Sequence, residues 1–470
     1  MTLGAIADVV DGRVRDGSDA IKVAGDPFAD SRDVVAGGLF VAVAGERVDG
    51  HEYAAAAVAG GAAAVLTARP VGVPAIVVAD PVRAVGMLAR HLVAQLPRLC
   101  VIGITGSQGK TSTKDLLAQI LETAGETVSP IGSFNTEIGV PLTALRATES
   151  TRFLISEMGA RGPGQIRYLT SIVSPAVGVV LNVGRAHLGE FGSRAAIAEA
   201  KGELIAALPA DGLAVLNADD AFVLAMRDRT MASVLTFGSG EDAGVRLSCV
   251  QVDEAEMPSF TMDTADASAR LTLHLVGEHQ ARNAIAAAAV ALGLGMRLED
   301  VAAALSGAVP RSKWRMEVTT TGAGTTVIND AYNANPDSMA AALKTLSDIG
   351  RRRGSAHRTF AVLGEMKELG DTSRAEHDAI GRLAVDLAVS RLIVVGEEAR
   401  PMQLAASRAA ASGTTSLLVD DAAAALAVLH DEVREGDVVL VKASRAAGLE
   451  KLALALLDDP VPRDPAVVSR

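Results

Sequence analysis

The sequence predicts an α/β protein of three domains: a small N-terminal α/β domain, a central domain on a doubly wound, mostly parallel sheet, and a C-terminal α/β domain. Three observations predict this. The 470 residues exceed what one core usually organises. Short runs of Val, Ile and Leu alternate with helical patterns along the whole chain. Hydrophobic residues make up 49% and aromatics only 3%, so Ala, Val and Leu must build the core, which suits helices packed on parallel strands.

In the first block, Leu39 to Val43 and Ala75 to Val78 read as buried strands. Ala54 to Ala59 and Val82 to Leu96 read as helices, and Pro97 ends the second. A new domain starts near Leu99. Its predicted strands are Leu99 to Ile102, Phe153 to Ser156, Val177 to Leu181 and Val215-Leu216. Residues 241–275 change texture, with polar residues interleaving Leu271, Leu273 and Leu275, and predict a small antiparallel excursion. An Ala-rich helix follows over Asn283 to Leu294. Pro310 to Lys313 marks the next boundary. Beyond it, Thr326 to Ile328, Thr359 to Leu363, Leu392 to Val395 and Val438 to Val441 predict a second parallel sheet.

Thr105-Gly106-Ser107-Gln108-Gly109-Lys110-Thr111-Ser112 carries the clearest chemistry. It follows a predicted strand and opens a helix marked by Leu116, Leu117, Ile120 and Leu121. That context suits a phosphate-binding loop. Glycines let backbone N–H groups wrap phosphate oxygens, and the helix N-terminus adds partial positive charge. Lys110 can reach the outer phosphates, and the Thr111 hydroxyl can ligate Mg²⁺. The strict pattern would place glycine at 104, where this chain has Ile104, so the loop is a variant. An ordinary glycine-rich turn is the bland alternative.

Glu157 and His187 follow predicted strands, whose carboxyl ends share the sheet edge with the loop. Alone, each reads as an ordinary loop residue. Beside the loop, they read as Mg²⁺ ligands. Lys201 falls within the apolar stripe of Ile197, Leu204, Ile205 and Leu208 in a predicted helix over Ser193 to Leu208. It must snorkel, pair with an acid or be chemically altered. Snorkelling is the residue-level preference, and a carbamate formed with CO₂ is the functional alternative. Asn329 to Ser338 is dense in hydrogen-bonding side chains. Its asparagines either cap the next helix or orient a polar ligand.

The net charge of −12, without a long basic run, argues against nucleic acid or an acidic membrane as partner. Two cysteines suggest neither a disulfide framework nor a zinc site. The first residues lack a signal-peptide pattern, and no stretch is apolar enough to span a bilayer, so a cytoplasmic protein is expected.

These residues resemble the Mur ligase family, ATP-dependent amide-bond-forming enzymes of peptidoglycan precursor synthesis, over essentially the whole chain. The family's loop reads T-G-S/T-x-G-K-T, which accounts for the displaced glycine. Asn135 to Pro141 is similar to its N-x-x-I-G segment at the muropeptide site, with Asn135 and Thr136 as contacts. Glu157 and His187 match its metal-binding acid and histidine. Ala200-Lys201-Gly202-Glu203 matches the segment of its carbamylated lysine, which displaces the snorkelling preference. Gly277 to Asn283 resembles the adenine-side motif, with Asn283 on the base. Arg315 carries over as a phosphate contact although Trp314 replaces a common glycine. Asp330-Ala331-Tyr332-Asn333-Ala334-Asn335-Pro336 and Gly364 to Gly370 are similar to the branch that adds D-alanyl-D-alanine, despite Glu365 where aspartate is common. Lys442-Ala443-Ser444-Arg445 has alanine where the family often has glycine. Asp30-Ser31-Arg32 and Gly45 to His51 resemble uridine-diphosphate-binding elements, with Ser31 as the contact.

The resemblance implies a UDP-sugar-binding domain over residues 1–97, a central ATPase domain over 98–311 and a Rossmann-like ligase domain over 312–470. It implies a monomer using ATP and two Mg²⁺ ions, held by Thr111, Glu157, His187 and carbamylated Lys201. The substrates are UDP-MurNAc-tripeptide and D-Ala-D-Ala, joined through an acyl phosphate. Asp330 would contact the ATP ribose, with Tyr332, Asn333 and Asn335 on the substrate side, and the domains would close on ATP. A folylpolyglutamate-synthetase-like ligase or a non-catalytic nucleotide switch are the alternatives. The switch has no need of a lysine in an apolar stripe.

Overall fold

The structure is a computed structural model that describes residues 1–45, 48–186, 188–354, 357–409 and 413–458. Among the described residues three sheets follow one another along the chain. The first has four strands in the order Arg13–Arg15, Ala75–Val77, Ala64–Thr67 and Leu39–Val41. Only its Arg13–Arg15 edge runs antiparallel. Helix Ala54–Ala59 matches the expectation, and helix Pro81–Ala94 starts on an Asp80 cap with Pro81 in its first turn. Strand Ala64–Thr67, fully buried, was not predicted, because its short Ala-Val-Leu-Thr run sits in an Ala/Gly-rich stretch without alternation.

The central sheet has nine strands. Cys100–Thr105 lies between Val177–Val180 and Phe153–Glu157, all parallel. The chain reverses its direction of travel across the sheet there, at a topological switch point, where ligands bind at strand carboxyl ends. The predicted antiparallel excursion consists of Val245–Val252, Pro258–Asp263 and Ser268–Thr272. Helix His279–Gly293 is buried along most of its length, with Ala286 to Ala289 at 0% exposure. Those small side chains let it pack closely on helix Lys110–Glu122, in one apolar cluster with Ile102, Ile104, Leu116, Leu117, Ile120 and Leu121.

The third sheet has six strands, ordered Glu317–Thr320, Thr326–Asn329, Val438–Lys442, Thr359–Leu363, Arg391–Val395 and Thr415–Val419. The first pair is antiparallel and the rest parallel. The four apolar runs are its centre. The edge strand Glu317–Thr320 is polar and Thr415–Val419 has an apolar stretch of only three residues, Leu417-Leu418-Val419, so neither was predicted. No helix among the described residues is long and apolar enough to cross a membrane.

Candidate active site in the cleft between the second and third sheets

The phosphate loop follows strand Cys100–Thr105 and ends on Gly109, whose φ of 81° is left-handed. A Cβ at Gly109 would lie 2.5 Å from Asn283 Oδ1, so both the turn and the close approach require glycine there. Helix Lys110–Glu122 then points its N-terminus at the cleft. The N–H groups of Ser107 and Gln108 donate to Asn182 Oδ1, each at 3.0 Å. Asn182 is thus a loop-shaping residue that sequence reading missed. It lies 74 positions from Gln108, with no local motif to reveal it.

Lys110 Nζ donates to Gly106 O at 2.7 Å, closing the loop on itself. Burial pushes the Lys110 ammonium below its ordinary value. Glu157 opposes that shift, and Arg315 adds to it. Thr111 Oγ1 donates to Glu157 Oε2 at 3.0 Å, and Asn135 Nδ2 donates to Glu157 Oε1 at 2.8 Å. Glu157 is 1% exposed and ends the strand Phe153–Glu157. Among the described residues no group of three or more His, Cys, Asp and Glu side chains clusters as a metal cage. One hydroxyl beside one carboxylate nevertheless fits Mg²⁺, which typically takes one or two carboxylates and completes its shell with phosphate oxygens and water.

The third sheet supplies the opposite wall. Arg315 Nη2 donates to Thr111 Oγ1 at 3.2 Å, and its guanidinium lies 4.3 Å from the Tyr332 ring centroid. Its Nε is buried without a partner among the described residues, a donor available to an anion. Asp330 accepts from Met316 N at 3.1 Å and pairs with Lys442 Nζ at 2.6 Å. Lys442 also donates to Asn333 O at 2.9 Å. Asn335 is the N-cap of helix Pro336–Arg353, in a reciprocal capping box with Ser338. The capping alternative therefore holds for Asn335, while its Nδ2 also reaches Ser107 O across the cleft at 3.5 Å.

These groups enclose a cavity of about 520 Å³. Its lining includes Ser107 to Ser112, Asn135, Thr136, Glu157, Asn283, Arg315, Asp330, Tyr332, Asn333 and Asn335. Thr105 and Gly106 do not line it. Thr105 Oγ1 is spent on Met158 O at 2.8 Å. Ser31 belongs to the first unit and stands apart from this cavity. Lys201, 4% exposed on helix Arg194–Ala206, is off the lining as well. Its amine has no hydrogen-bond or ion-pair partner among the described residues. Burial pushes it well below the ordinary lysine value, and the Lys110 charge adds to the shift. His187, Glu46 and Arg47 lie outside the described residues. The cavity also takes in His279, Lys442 and Arg445, which were not singled out as site residues. Burial lowers the His279 imidazole against the pull of Asp330.

Three family profiles match the chain: the Mur ligase family catalytic domain over residues 28–93, the Mur ligase middle domain over 104–291, and the Mur ligase glutamate ligase domain over 314–445. The UDP-N-acetylmuramoyl-tripeptide–D-alanyl-D-alanine ligase of Mycobacterium tuberculosis is 50% identical, with 98% of each chain covered. A crystal structure of MurF from Acinetobacter baumannii superimposes with a TM-score of 0.84 at 31% identity, covering 97% of this chain and 99% of that one. MurF ligase from Thermotoga maritima, in complex with ADP, gives 0.76 at 29% identity over 93% and 97%. The chain belongs to the Mur ligase family.

Proposed function

We propose that this chain joins D-alanyl-D-alanine to UDP-N-acetylmuramoyl-tripeptide with cleavage of ATP to ADP and phosphate, in the cytoplasm and as a monomer. The observation that carries the reading is the meeting of two sets of groups in one cavity. The phosphate loop with its Thr111–Glu157 pair comes from one sheet, and Arg315, Asp330 and the 332–335 segment come from the other. A nucleotide switch needs only the first set. The division of labour follows the three sheets: residues 1–97 hold the UDP-sugar, 98–311 the ATP phosphates, and 312–470 the incoming dipeptide.

An amine cannot displace oxide from a carboxylate, so the acid must first gain a leaving group. The terminal carboxylate oxygen of the tripeptide attacks the γ-phosphorus of ATP, and ADP leaves. Lys110, Arg315 and the amides at the helix N-terminus stabilise charge on the transferring phosphoryl group. The dipeptide nitrogen then attacks the acyl carbon, phosphate departs, and the nitrogen loses a proton. Asn283 faces the base of ATP and Asp330 its ribose. Asn135 and Thr136 stand on the muropeptide side with Tyr332, Asn333 and Asn335 opposite. Thr111 and Glu157 would hold one Mg²⁺, and His187 with Lys201 as its carbamate a second. Bound there, the ions would neutralise phosphate charge and let the anionic carboxylate approach. An unpartnered buried amine supports the carbamate, because a neutral amine is the form that adds CO₂.

The test is phosphate release from ATP with Mg²⁺ and UDP-MurNAc-tripeptide, with and without D-Ala-D-Ala. Release that requires both acceptors, with the pentapeptide product seen by mass, is the expected result. Release indifferent to the dipeptide would remove the branch assignment and leave only the nucleotide site.

A further inference from the structure

Lys114 is a buried cation that the reaction above does not use. It sits one helical turn after Lys110 and is 1% exposed. Its ammonium donates to Pro130 O at 2.9 Å and Gly132 O at 3.2 Å, and pairs with Asp115 Oδ1 at 2.5 Å. Three donors meet three acceptors, so the charge is fully satisfied away from water. Two of those acceptors are backbone carbonyls of a loop with no regular structure. They straddle Ile131, which is 69% exposed.

The rest of that loop reaches the cleft. Ser133 Oγ lies 3.5 Å from Arg315 Nη2, and Asn135 holds Glu157. Asn135 O accepts from Gly159 N at 2.9 Å. Gly132 turns with φ of 62° beside the Tyr332 hydroxyl of the opposite wall. The loop closes tightly on itself, since a Cβ at Gly139 would meet the Phe134 backbone at 2.6 Å. Lys114 ties the start of this loop to the phosphate-loop helix through Pro130 O and Gly132 O.

We propose that Lys114 is a positioning residue that pins the 130–136 loop to the phosphate-loop helix and so sets how the muropeptide is presented to the γ-phosphate. The proposal rests on the reading that this loop faces the UDP-MurNAc-tripeptide. Its effect passes through Ser133, Asn135 and Thr136, with Lys114 itself touching no substrate. A strut that fails lets the loop drift by a fraction of its own hydrogen-bond lengths, and small misplacements of that kind are costly to a group transfer.

The experiment compares wild type, Lys114→Gln and Lys114→Arg in three readouts: ADP affinity by calorimetry, kcat and KM for UDP-MurNAc-tripeptide, and the thermal midpoint. Glutamine keeps donors but falls short of the carbonyls. Expected for Lys114→Gln is a loss in kcat/KM for the muropeptide of about tenfold to a hundredfold, with ADP affinity held within about twofold. Lys114→Arg, which restores charge and reach, should recover most of it. Equal losses for ADP and muropeptide would reduce Lys114 to a stability residue and overturn the proposal, as would an unchanged muropeptide KM and kcat. If Lys114→Gln does not fold, the wild-type protein decides. With ¹⁵N-labelled lysine, the Lys114 ammonium resonance should shift on adding UDP-MurNAc-tripeptide and stay put on adding ADP, and no shift overturns the proposal. Wild-type protein that binds no UDP-MurNAc-tripeptide counts against the functional reading. Binding by wild type with an indifferent Lys114 counts against Lys114 alone.

Discussion

Lys201 and Lys442 are buried alike, one on a helix of the central unit and one at the end of a strand in the C-terminal sheet, at 4% and 2% exposure. Burial pushes both ammonium groups down from the ordinary value. Their surroundings differ. Lys442 has Asp330 at 2.6 Å and the Asn333 carbonyl at 2.9 Å. Lys201 has no partner among the described residues, and the charge acting on it is the repulsive one of Lys110. The difference teaches what a buried lysine is for. A paired one is held charged and holds its neighbours, here the strand end that presents Asp330. An unpaired one is pushed toward its neutral form, the form in which an amine is nucleophilic.

The largest effect should come from breaking the paired side. Lys442→Met strands the Asp330 carboxylate in the interior, which costs about 3–5 kcal/mol when a buried pair loses one partner. Trp314, the single tryptophan, stacks under Arg445 and reports on the C-terminal unit. Its fluorescence in a urea titration should show a clearly lower midpoint. A midpoint within error of wild type would mean that the pair contributes nothing and that the two lysines are equivalent.

Lys201→Met should do the opposite in both readouts. Removing an unpartnered buried amine leaves stability unchanged or higher, because no counter-charge is orphaned. Turnover should fall by about 10²–10³-fold, the scale for losing one group that stabilises a transferring charge. A variant that is both unstable and active would make Lys201 a packing residue. Asp330→Asn sharpens the contrast further. Asparagine keeps an acceptor for Met316 N but removes the charge, which leaves Lys442 buried without a counter-charge and holding the Asn333 carbonyl. The expected loss is smaller, about 2 kcal/mol, since a hydrogen bond to the ammonium survives. A loss as large as that of Lys442→Met would show that charge, rather than hydrogen bonding, carries the pair.

How much of this was legible beforehand tracks sequence distance. The loop from Thr105 to Ser112 announces itself through spacing and a strand–helix context, and Lys201 through a polar residue in an apolar stripe. Asn335 was readable as a cap because capping is local. The pairing of Lys442 with Asp330 spans 112 positions, and the use of Asn182 to hold Ser107 spans 75, so neither leaves a local pattern. The same limit explains the strands. Buried central strands such as Thr359–Leu363 show as apolar runs, whereas Glu317–Thr320 is a strand only because Thr326–Asn329 pairs with it. The family resemblance supplied what spacing could not, including the choice between snorkelling and carbamylation at Lys201.

Glu256 is the intermediate case and gives the finest test. Its carboxylate is 2% exposed and has one cationic partner among the described residues, Arg352 on helix Pro336–Arg353, which is itself 36% exposed. Burial pushes it up from 4.5 to about 7, with Asp348 and Asp253 adding to the rise and Arg352 and Arg351 opposing it. A carboxylate raised in the folded state binds its proton more tightly there than in the unfolded chain. Folding stability from this group therefore falls as the pH climbs from about 4.5 through about 7, and is flat above that. Glu256→Gln removes the titration. The thermal midpoint of the variant relative to wild type should rise across that window and then level off. A difference that stays constant with pH, or slopes the other way, would mean that Arg352 alone keeps the carboxylate ionised. One half-exposed partner would then suffice to hold a buried charge, and the gap between Lys201 and Lys442 would be one of kind, with no graded states between them.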